Sequence, residues 1–297
     1  MKTLEHWVDR HLKWVLIAPS ILLVAALILY PLAFTLNLSF TDAKRATSRP
    51  YDYVGFENFI ELLTDTERFW PAVGRTAHFT AGALVVEMIL GIAIALVLRK
   101  SFRGEGFVRV AILLPLVATP VAVGMMWLLI FEPNIGFANW LMSALGLPEQ
   151  GWLSDPDQAL NVLIFIDAWQ WTPMVALIVL AGLTSIPAET EEAAVMDGAG
   201  MWQKHWYVIL PLAVPSIIAA LLIRAIDALK TFDILYATKG AGGGSNHEAE
   251  TLNVLGYSYS FDYQQYGLAS AVLVVFLVLI LGVVMSIFIL RRGAGNR

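Results

Sequence analysis

The chain has no cysteine and few charged residues, and both shortages limit what it can be. Without cysteine there is no disulfide framework and no thiolate site for a metal or a nucleophile. Its histidines are scattered, and only His6 and His11 lie near each other, on a polar tail, so no metal site is predicted. Charged residues make up only 14% of the chain, which is too few for a soluble protein of ordinary composition.

Motifs for catalysis are also absent from the sequence. The glycine-rich run Gly240–Ser245 is not followed by Gly-Lys-Ser or Gly-Lys-Thr, so we predict a flexible loop rather than a phosphate site. No Ser/His/Asp arrangement and no pair of intramembrane aspartates is recognisable on facing apolar segments. We therefore predict no catalytic residue and no cofactor in this chain, and no nucleic-acid partner. Because no nucleotide-binding motif is recognisable either, any ATP that the function requires has to be hydrolysed by another polypeptide.

Hydrophobic residues make up 58% of the chain, and its mean hydropathy is +0.68. These hydrophobic residues are concentrated in long runs. A helix needs ~20 apolar residues to cross a bilayer. The segments that satisfy this requirement are Trp14–Phe40, Pro71–Leu98, Val108–Phe131, Leu160–Leu183, Leu212–Phe232 and Gln265–Leu290. They predict an all-α polytopic membrane protein with six transmembrane helices.

The distribution of Lys and Arg predicts the orientation. The short link 99–109 is rich in basic residues, whereas the loop 132–157 has none. Because such residues gather on the cytoplasmic side, we expect both termini inside. The predicted order is a cytoplasmic tail (1–12), a first transmembrane helix (13–40), an outer loop (41–70), a five-helix core (71–290) and a cytoplasmic tail (291–297). The core includes a cytoplasmic loop at 186–211. Aromatic residues in 41–70 predict a small ordered cap, and those in 132–157 predict a short amphipathic helix.

The fifth apolar segment carries an unusual row of charges, because Arg224, Asp227, Lys230 and Asp233 follow one another at intervals of three. Ionisable residues at membrane depth usually face a protein or water interior. Two interpretations fit this row. It is either the polar wall of a substrate path, with Thr231 and Asp233 near its outer end, or a self-neutralising ladder that fixes helix packing.

The fourth segment brings Trp169, Gln170 and Trp171 together in its outer half. Aromatic rings with hydrogen-bonding neighbours suit a sugar or a polyol, although tryptophan is also typical of the membrane interface. Glu87 in the second segment is expected to pair within the bundle rather than to touch substrate. The candidate path residues are Trp169, Gln170, Asp227, Lys230, Thr231 and Asp233.

The polar stretch 186–211 lies between the fourth and fifth apolar segments and predicts a helix, a turn and a second helix. Acidic residues crowd its first turn, where the helix dipole favours them, and Gly198 suits the left-handed conformation that ends a helix. Helical spacing then puts Trp202, Trp206, Ile209 and Leu210 on one stripe. An amphipathic helix that merely rests on lipid headgroups is the alternative interpretation.

Residues in this stretch match a known pattern, EAA-x3-G-x9-I-x-L-P. The matching residues are Glu192-Ala193-Ala194, Gly198 and Val208-x-Leu210-Pro211, with Val in place of Ile. In this respect the chain resembles the membrane subunits of ATP-binding-cassette (ABC) importers. The resemblance implies that 186–211 contains a coupling helix that docks into a cytoplasmic ATPase. The residues expected to couple are Glu192, Ala193, Ala194, Asp197, Gly198, Leu210 and Pro211.

The resemblance extends from Pro71 to Leu290, the five-helix core of the type I importer permease fold. The runs ALIVLAGLTSIPAETEEAA and FDILYATKG resemble the carbohydrate-uptake branch, the maltose and glycerol-3-phosphate permeases. The resemblance implies a homologous second permease, two ATPases that hold ATP and Mg, and a periplasmic binding protein. It also implies a multi-pass location in a bacterial cytoplasmic membrane.

The expected function is import of a sugar or sugar-like solute, including polyols, glycosides and phosphorylated or sulfonated derivatives, by alternating access. One alternative is another importer branch, for amino acids, peptides or phosphate. The other is an ion-coupled secondary carrier, although the sequence lacks the inverted repeats and matching broken helices of that class.

Overall fold

The structure, a computed structural model, describes residues 12–44, 51–100 and 102–294. Almost all of the predicted N-terminal tail and the end of the C-terminal tail lie outside the described residues. In the described part the α-helices are α1 (Leu12–Leu38), α2 (Glu57–Thr64), α3 (Phe69–Leu98), α4 (Glu105–Val117), α5 (Pro120–Ile130), α6 (Phe137–Ala144), α7 (Pro156–Thr184), α8 (Ala188–Met196), α9 (Met201–Lys204), α10 (Leu210–Leu229), α11 (Asp233–Lys239), α12 (Leu252–Tyr257) and α13 (Tyr266–Ala294).

Helical stretches long and apolar enough to cross a membrane are Leu16–Leu38, Phe69–Leu98, Pro156–Thr184, Met201–Lys239 and Tyr266–Ile287. They confirm the predicted all-α membrane fold. The third predicted segment, Val108–Phe131, is not one helix, because α4 and α5 meet at an angle of 99°. Ala118 is extended, the Thr119 hydroxyl accepts a hydrogen bond from the Ala122 amide, and Pro120 starts α5. Proline at the first helical position removes a donor that has no intrahelical partner there. A sixth crossing results if α4 and α5 together form one broken span.

Helices α3, α7 and α10 form the centre of the bundle, and α3 packs along α7 more extensively than any other pair of described elements. Gly91 lets these two helices approach closely, since a Cβ there would lie 2.6 Å from Val175 Cγ1. In contrast, α1 lies outside the bundle and packs against α13. The most apolar stretch of this helix contains no buried residue. The first helix is therefore peripheral, and we expect the candidate substrate path among the central helices.

The bundle has two distinct ends. We call the end that holds the loop 186–211 the loop end, and the other the far end. At the far end, the Asn58 side-chain amide of α2 donates to the carbonyls of Ser39 (2.9 Å) and Thr41 (2.8 Å), so the described part of the predicted cap is ordered. Helix α6 confirms the short helix predicted within 132–157.

The glycine-rich stretch at the far end is packed into the fold, so the prediction of a flexible loop was wrong. Gly242 and Gly243 are buried, and the Gly242 amide donates to the Ser258 hydroxyl at 3.2 Å. A Cβ at Gly243 would lie 2.3 Å from the Glu250 amide nitrogen, so glycine is needed for this close approach.

Candidate coupling loop and translocation cleft

Helix α8 and the turn that follows it form the candidate coupling loop. Pro187, in an extended conformation, precedes the helix. Gly198 has a φ of 81°, in the left-handed region that favours glycine. The amide of Gly198 donates to the Val195 carbonyl at 3.0 Å, and that of Ala199 donates to the Ala194 carbonyl at 2.9 Å. These bonds close the helix and turn the chain back toward the membrane.

One face of α8 is tied to the bundle by charge. Glu191 forms ion pairs with Arg99, at the end of α3, and with Lys204 in α9, at 3.1 Å from its Nζ. Partial burial opposes ionisation of Glu191, but the two cations outweigh it and lower the pKa of this carboxyl below its usual range. On the same side, Ala194 is buried. This face therefore fixes the position of the loop relative to α3.

The opposite face of α8 has no partner among the described residues. Glu192, Ala193 and Asp197 are exposed. Val195 is 56% and Met196 86% exposed, and both lie outside the apolar transmembrane segments. With Ala188, Glu191, Glu192 and Lys204, these two side chains line an open cavity of about 590 Å³. Exposed apolar side chains rimmed by charge are typical of a protein interaction surface.

The helix after the turn continues without a break into the membrane. Segment α9, a single π-helical stretch His205–Ile209 and α10 form one helical path from Met201 to Leu229, which we call the connecting helix. Pro211 lies in the first turn of α10 and does not interrupt it. The predicted stripe is only partly present: Trp202, Trp206 and Leu210 line one apolar cavity together, whereas Ile209 is buried against the core. A π-turn shifts the helical register, which a strict spacing argument does not include.

A buried cluster of charges lies deep in the bundle and links its three central helices. Arg224 of α10 donates two hydrogen bonds of 2.6 Å to Glu87 of α3 and one of 2.8 Å to Asp167 of α7. The guanidinium carbon also lies 5.1 Å from the ring centroid of Trp171. The side chains of all three charged residues are at most 1% exposed. The expectation that Glu87 pairs within the bundle is confirmed, and its partner is Arg224.

The charge row of the fifth segment is not a continuous ladder. Arg224 reaches across to α3 and α7 instead of pairing along its own helix. Helix α10 ends at Leu229, so Lys230 and Asp233 are not on the same helical segment as Arg224. Only Lys230 and Asp227 form a weak ion pair, at 3.7 Å.

These residues surround a cleft of about 230 Å³. Its lining consists of Pro120, Asp167, Trp171, Arg224, Asp227, Lys230, Thr231, Phe232, Asp233 and Ile234. Four of the candidate path residues, from Asp227 to Asp233, thus lie together. Two others do not line it: Gln170 is buried and donates to the Ala118 carbonyl at 3.1 Å, and Trp169 packs edge-on against Trp127 at 5.4 Å.

The cleft has both apolar and polar recognition groups. Trp171 and Phe232 present rings, Asp227 and Lys230 are about half exposed, and the buried Asp167 has one carboxylate oxygen without a hydrogen-bond partner. Rings edged with polar groups suit a solute that has apolar faces and hydroxyl edges. In the described residues, no group of three or more His, Asp or Glu side chains is arranged to hold a metal ion.

Sequence reasoning missed the residues that act across helices. Arg99, Glu191 and Lys204 form the ion pairs that hold the loop, yet Arg99 is far from the other two in sequence. Arg224 and Glu87 are separated by 137 positions. A charge in an apolar run was the available signal, but it does not identify the partner.

Comparisons with known proteins agree with this architecture. The profile of the family described as "Binding-protein-dependent transport system inner membrane component" matches residues 87–292. A trehalose/maltose transport system permease of Thermococcus litoralis is 33% identical over 97% of this chain and 96% of its own length. A trehalose transport system permease of Mycobacterium tuberculosis is 33% identical over 99% of this chain and 92% of its own length.

Among solved structures, a bacterial ABC transporter involved in the import of the acidic polysaccharide alginate superposes with a TM-score of 0.84. The match covers 98% of both chains at 22% identity, a level that supports the fold. The family match includes the buried charges, the candidate coupling loop and the cleft. The chain belongs to the family of inner-membrane components of binding-protein-dependent transport systems.

Proposed function

We propose that this chain is one of two homologous permease subunits of an ATP-driven importer that carries a sugar or a sugar-like solute. Relatives that match nearly the whole chain are permeases for trehalose and maltose, which supports the substrate class. The cleft offers Trp171 and Phe232 for the apolar face of a sugar ring. Asp227, Lys230 and Thr231 offer hydrogen-bonding groups for its hydroxyls.

The connecting helix is the observation that carries this proposal. It runs from the coupling loop to the cleft, with Met201 at one end and Leu229 at the other. A helix resists axial compression because each turn is hydrogen-bonded to the next. A displacement of the loop by a partner ATPase is therefore transmitted to Asp227 and Lys230 at the cleft.

The partners follow from the two ends of the molecule. The exposed face of α8 with Val195 and Met196 would dock into a cytoplasmic ATPase, one for each permease, where ATP and Mg are bound and hydrolysed. A substrate-loaded binding protein would dock at the far end, in the periplasm of a bacterium with this chain in its inner membrane. Closure of the ATPase dimer would then drive the two permeases from inward- to outward-open.

The turn at Gly198 provides the test. Valine at a φ of 81° costs about 1–3 kcal/mol of backbone strain, whereas asparagine tolerates this conformation. A Cβ there meets no atom within 4 Å, so the backbone and not packing is altered. In the reconstituted complex, Gly198→Val should reduce ATP-driven uptake of trehalose or maltose by about tenfold or more, and Gly198→Asn should retain most of it.

Assembly of the complex is measured in the same preparations. Uptake by Gly198→Val at the wild-type rate would make 186–211 a passive interfacial helix. A wild-type complex that imports no sugar from a panel including trehalose and maltose would contradict the substrate class.

A further inference from the structure

Four aromatic rings form a contiguous cluster that starts in the cleft, in which three rings contact one another pairwise and the fourth contacts one of the three. We call Phe232, Tyr236, Tyr257 and Phe261 the aromatic ladder. The ring centroids of Phe232 and Tyr236 are 5.1 Å apart, and those of Phe232 and Tyr257 are 5.0 Å apart. Tyr257 also contacts Tyr236 at 4.7 Å, which closes a triangle of three rings, and it contacts Phe261 at 4.6 Å. These separations correspond to direct ring contacts.

The ladder points toward the far end of the molecule. Phe232 lines the cleft and lies three residues after the end of α10, which runs away from the loop end. Phe261 lies shortly before the start of α13, which runs back toward the loop end. Both ends of the ladder therefore lie at the far end, where it joins the cleft to the exposed ring of Phe261 on the side at which a binding protein would release its solute.

The rings of the ladder remain accessible. Phe261 is 64% exposed, and the other three rings are partly exposed. By contrast, the core rings of Phe69 and Phe79 are only 1% exposed. Exposed carboxylates adjoin both ends in sequence, Asp233 next to Phe232 and Asp262 next to Phe261. The parts of these rings that remain exposed, with carboxylates beside them, can contact the CH groups of a sugar while the carboxylates accept hydrogen bonds from its hydroxyls.

We propose that the aromatic ladder is a carbohydrate-binding track that conducts a sugar from the far-end surface into the cleft. This inference rests on the proposed sugar-import function and adds a second binding region to it. The exposed parts of neighbouring rings give a pyranose several similar, weak sites between Phe261 and the cleft. A solute that moves between such sites does not have to leave the protein surface at each step.

The test separates the ring of Tyr257 from its apolar volume. Tyr257 contacts the other three rings of the aromatic ladder, so removal of its ring separates Phe261 from Phe232 and Tyr236. Tyr257→Phe keeps the ring, and Tyr257→Leu keeps a large apolar side chain without it. Trp140→Leu is the matched control, because Trp140 is 64% exposed and stacks on Phe137 at the same end, outside the ladder.

Each variant is assembled with its partners in proteoliposomes, and uptake of radiolabelled trehalose and maltose is measured together with binding-protein-stimulated ATPase activity. We expect Tyr257→Leu to reduce sugar uptake about three- to tenfold at subsaturating sugar, the size expected from losing one or two ring contacts. ATPase activity and assembly should be unchanged. Tyr257→Phe and Trp140→Leu should transport like the wild type.

Wild-type uptake by Tyr257→Leu would overturn the track. Loss of assembly or of ATPase activity in Tyr257→Leu would also overturn it, since the ladder would then be a packing surface for the second permease. Failure of the wild-type complex to carry either sugar would instead contradict the proposed function. The carbohydrate-binding track, which rests on that function, would then also be contradicted.

Discussion

Two of the clusters in which arginine meets carboxylate differ in surroundings more than in chemistry. In the membrane, Arg224 binds Glu87 and Asp167, and all three side chains are at most 1% exposed. At the loop end, Arg99 and Lys204 bind Glu191, whose side chain is 25% exposed. Water and salt weaken the second cluster but do not reach the first.

Because their surroundings differ, the two clusters have different structural roles. The buried cluster joins α3, α7 and α10, and leaving one of its charges unpaired is costly, so the three helices are held as one body. The loop cluster is worth little on its own and could rearrange if, as we propose, an ATPase docks against α8. A transporter of this design needs both: a rigid element that moves as a unit and a connection to it that can adjust.

The largest expected effect comes from removing the buried cation. Arg224→Met leaves two carboxylates without a partner in the bundle, and loss of one member of a buried pair costs about 3–5 kcal/mol. We expect a marked drop in the unfolding temperature of the purified permease in detergent or nanodiscs. Arg224→Lys keeps the charge but not the two-pronged contact with Glu87, so its loss should be intermediate. A wild-type unfolding temperature in Arg224→Met would show that the cluster does not hold the helices.

A medium effect is expected where α3 and α7 touch. Gly91→Ala would place a Cβ 2.6 Å from Val175 Cγ1, and overpacking of this kind costs about 1–3 kcal/mol. Gly74→Ala on the same helix is the control, since no atom lies within 4 Å of the added Cβ. Thermal unfolding of the two variants measures the difference. Equal stability of the two would mean that the helix pair separates easily and that the bundle is not rigid.

The smallest expected effect concerns the loop cluster. Glu191→Gln should weaken attachment of α8 by about 0.2–1 kcal/mol, and more at low salt than at high salt. Because the folded pKa of Glu191 is lowered, its contribution is present above the ordinary value of 4.5 and is lost as pH falls through the lowered pKa. Hydrogen–deuterium exchange of 188–200 measures this attachment. Glu189→Gln, an exposed position on the same helix, should leave exchange unchanged; equal protection in both variants would contradict the role of Glu191.

Local features of the chain were predictable from sequence. The α8 helix, the left-handed Gly198 and the short helix α6 depend on neighbouring residues, so local patterns identify them. The pairing of Glu87 within the bundle also followed, because a lone charge in an apolar run needs a partner.

Features that depend on distant contacts were not predictable. The break between α4 and α5 has a local signal in Pro120, but the 99° bend also involves the distant bond from Gln170 to the Ala118 carbonyl. The packed glycine-rich stretch depends on Ser258 and on the close approach of Gly243 to Glu250. Residue spacing also does not identify Glu87 of α3 as the partner of Arg224. One sequence without aligned relatives contains no direct signal for such contacts.

The central claim is that the connecting helix and α7 move as one body around the cleft, and distance measurement between spin labels tests it most directly. The absence of native cysteine permits labels at Gln203→Cys, beside the loop, and Phe165→Cys on α7, in a complex with cysteine-free partners. The two sites are on the order of 30 Å apart along the bundle. We predict the same separation in nucleotide-free and ATP-trapped transporters, while the distance from Gln203→Cys to a label on the second permease changes. A change in the first distance of about one helical turn, ~5 Å, would mean that the connecting helix slides past α7 and would contradict the account.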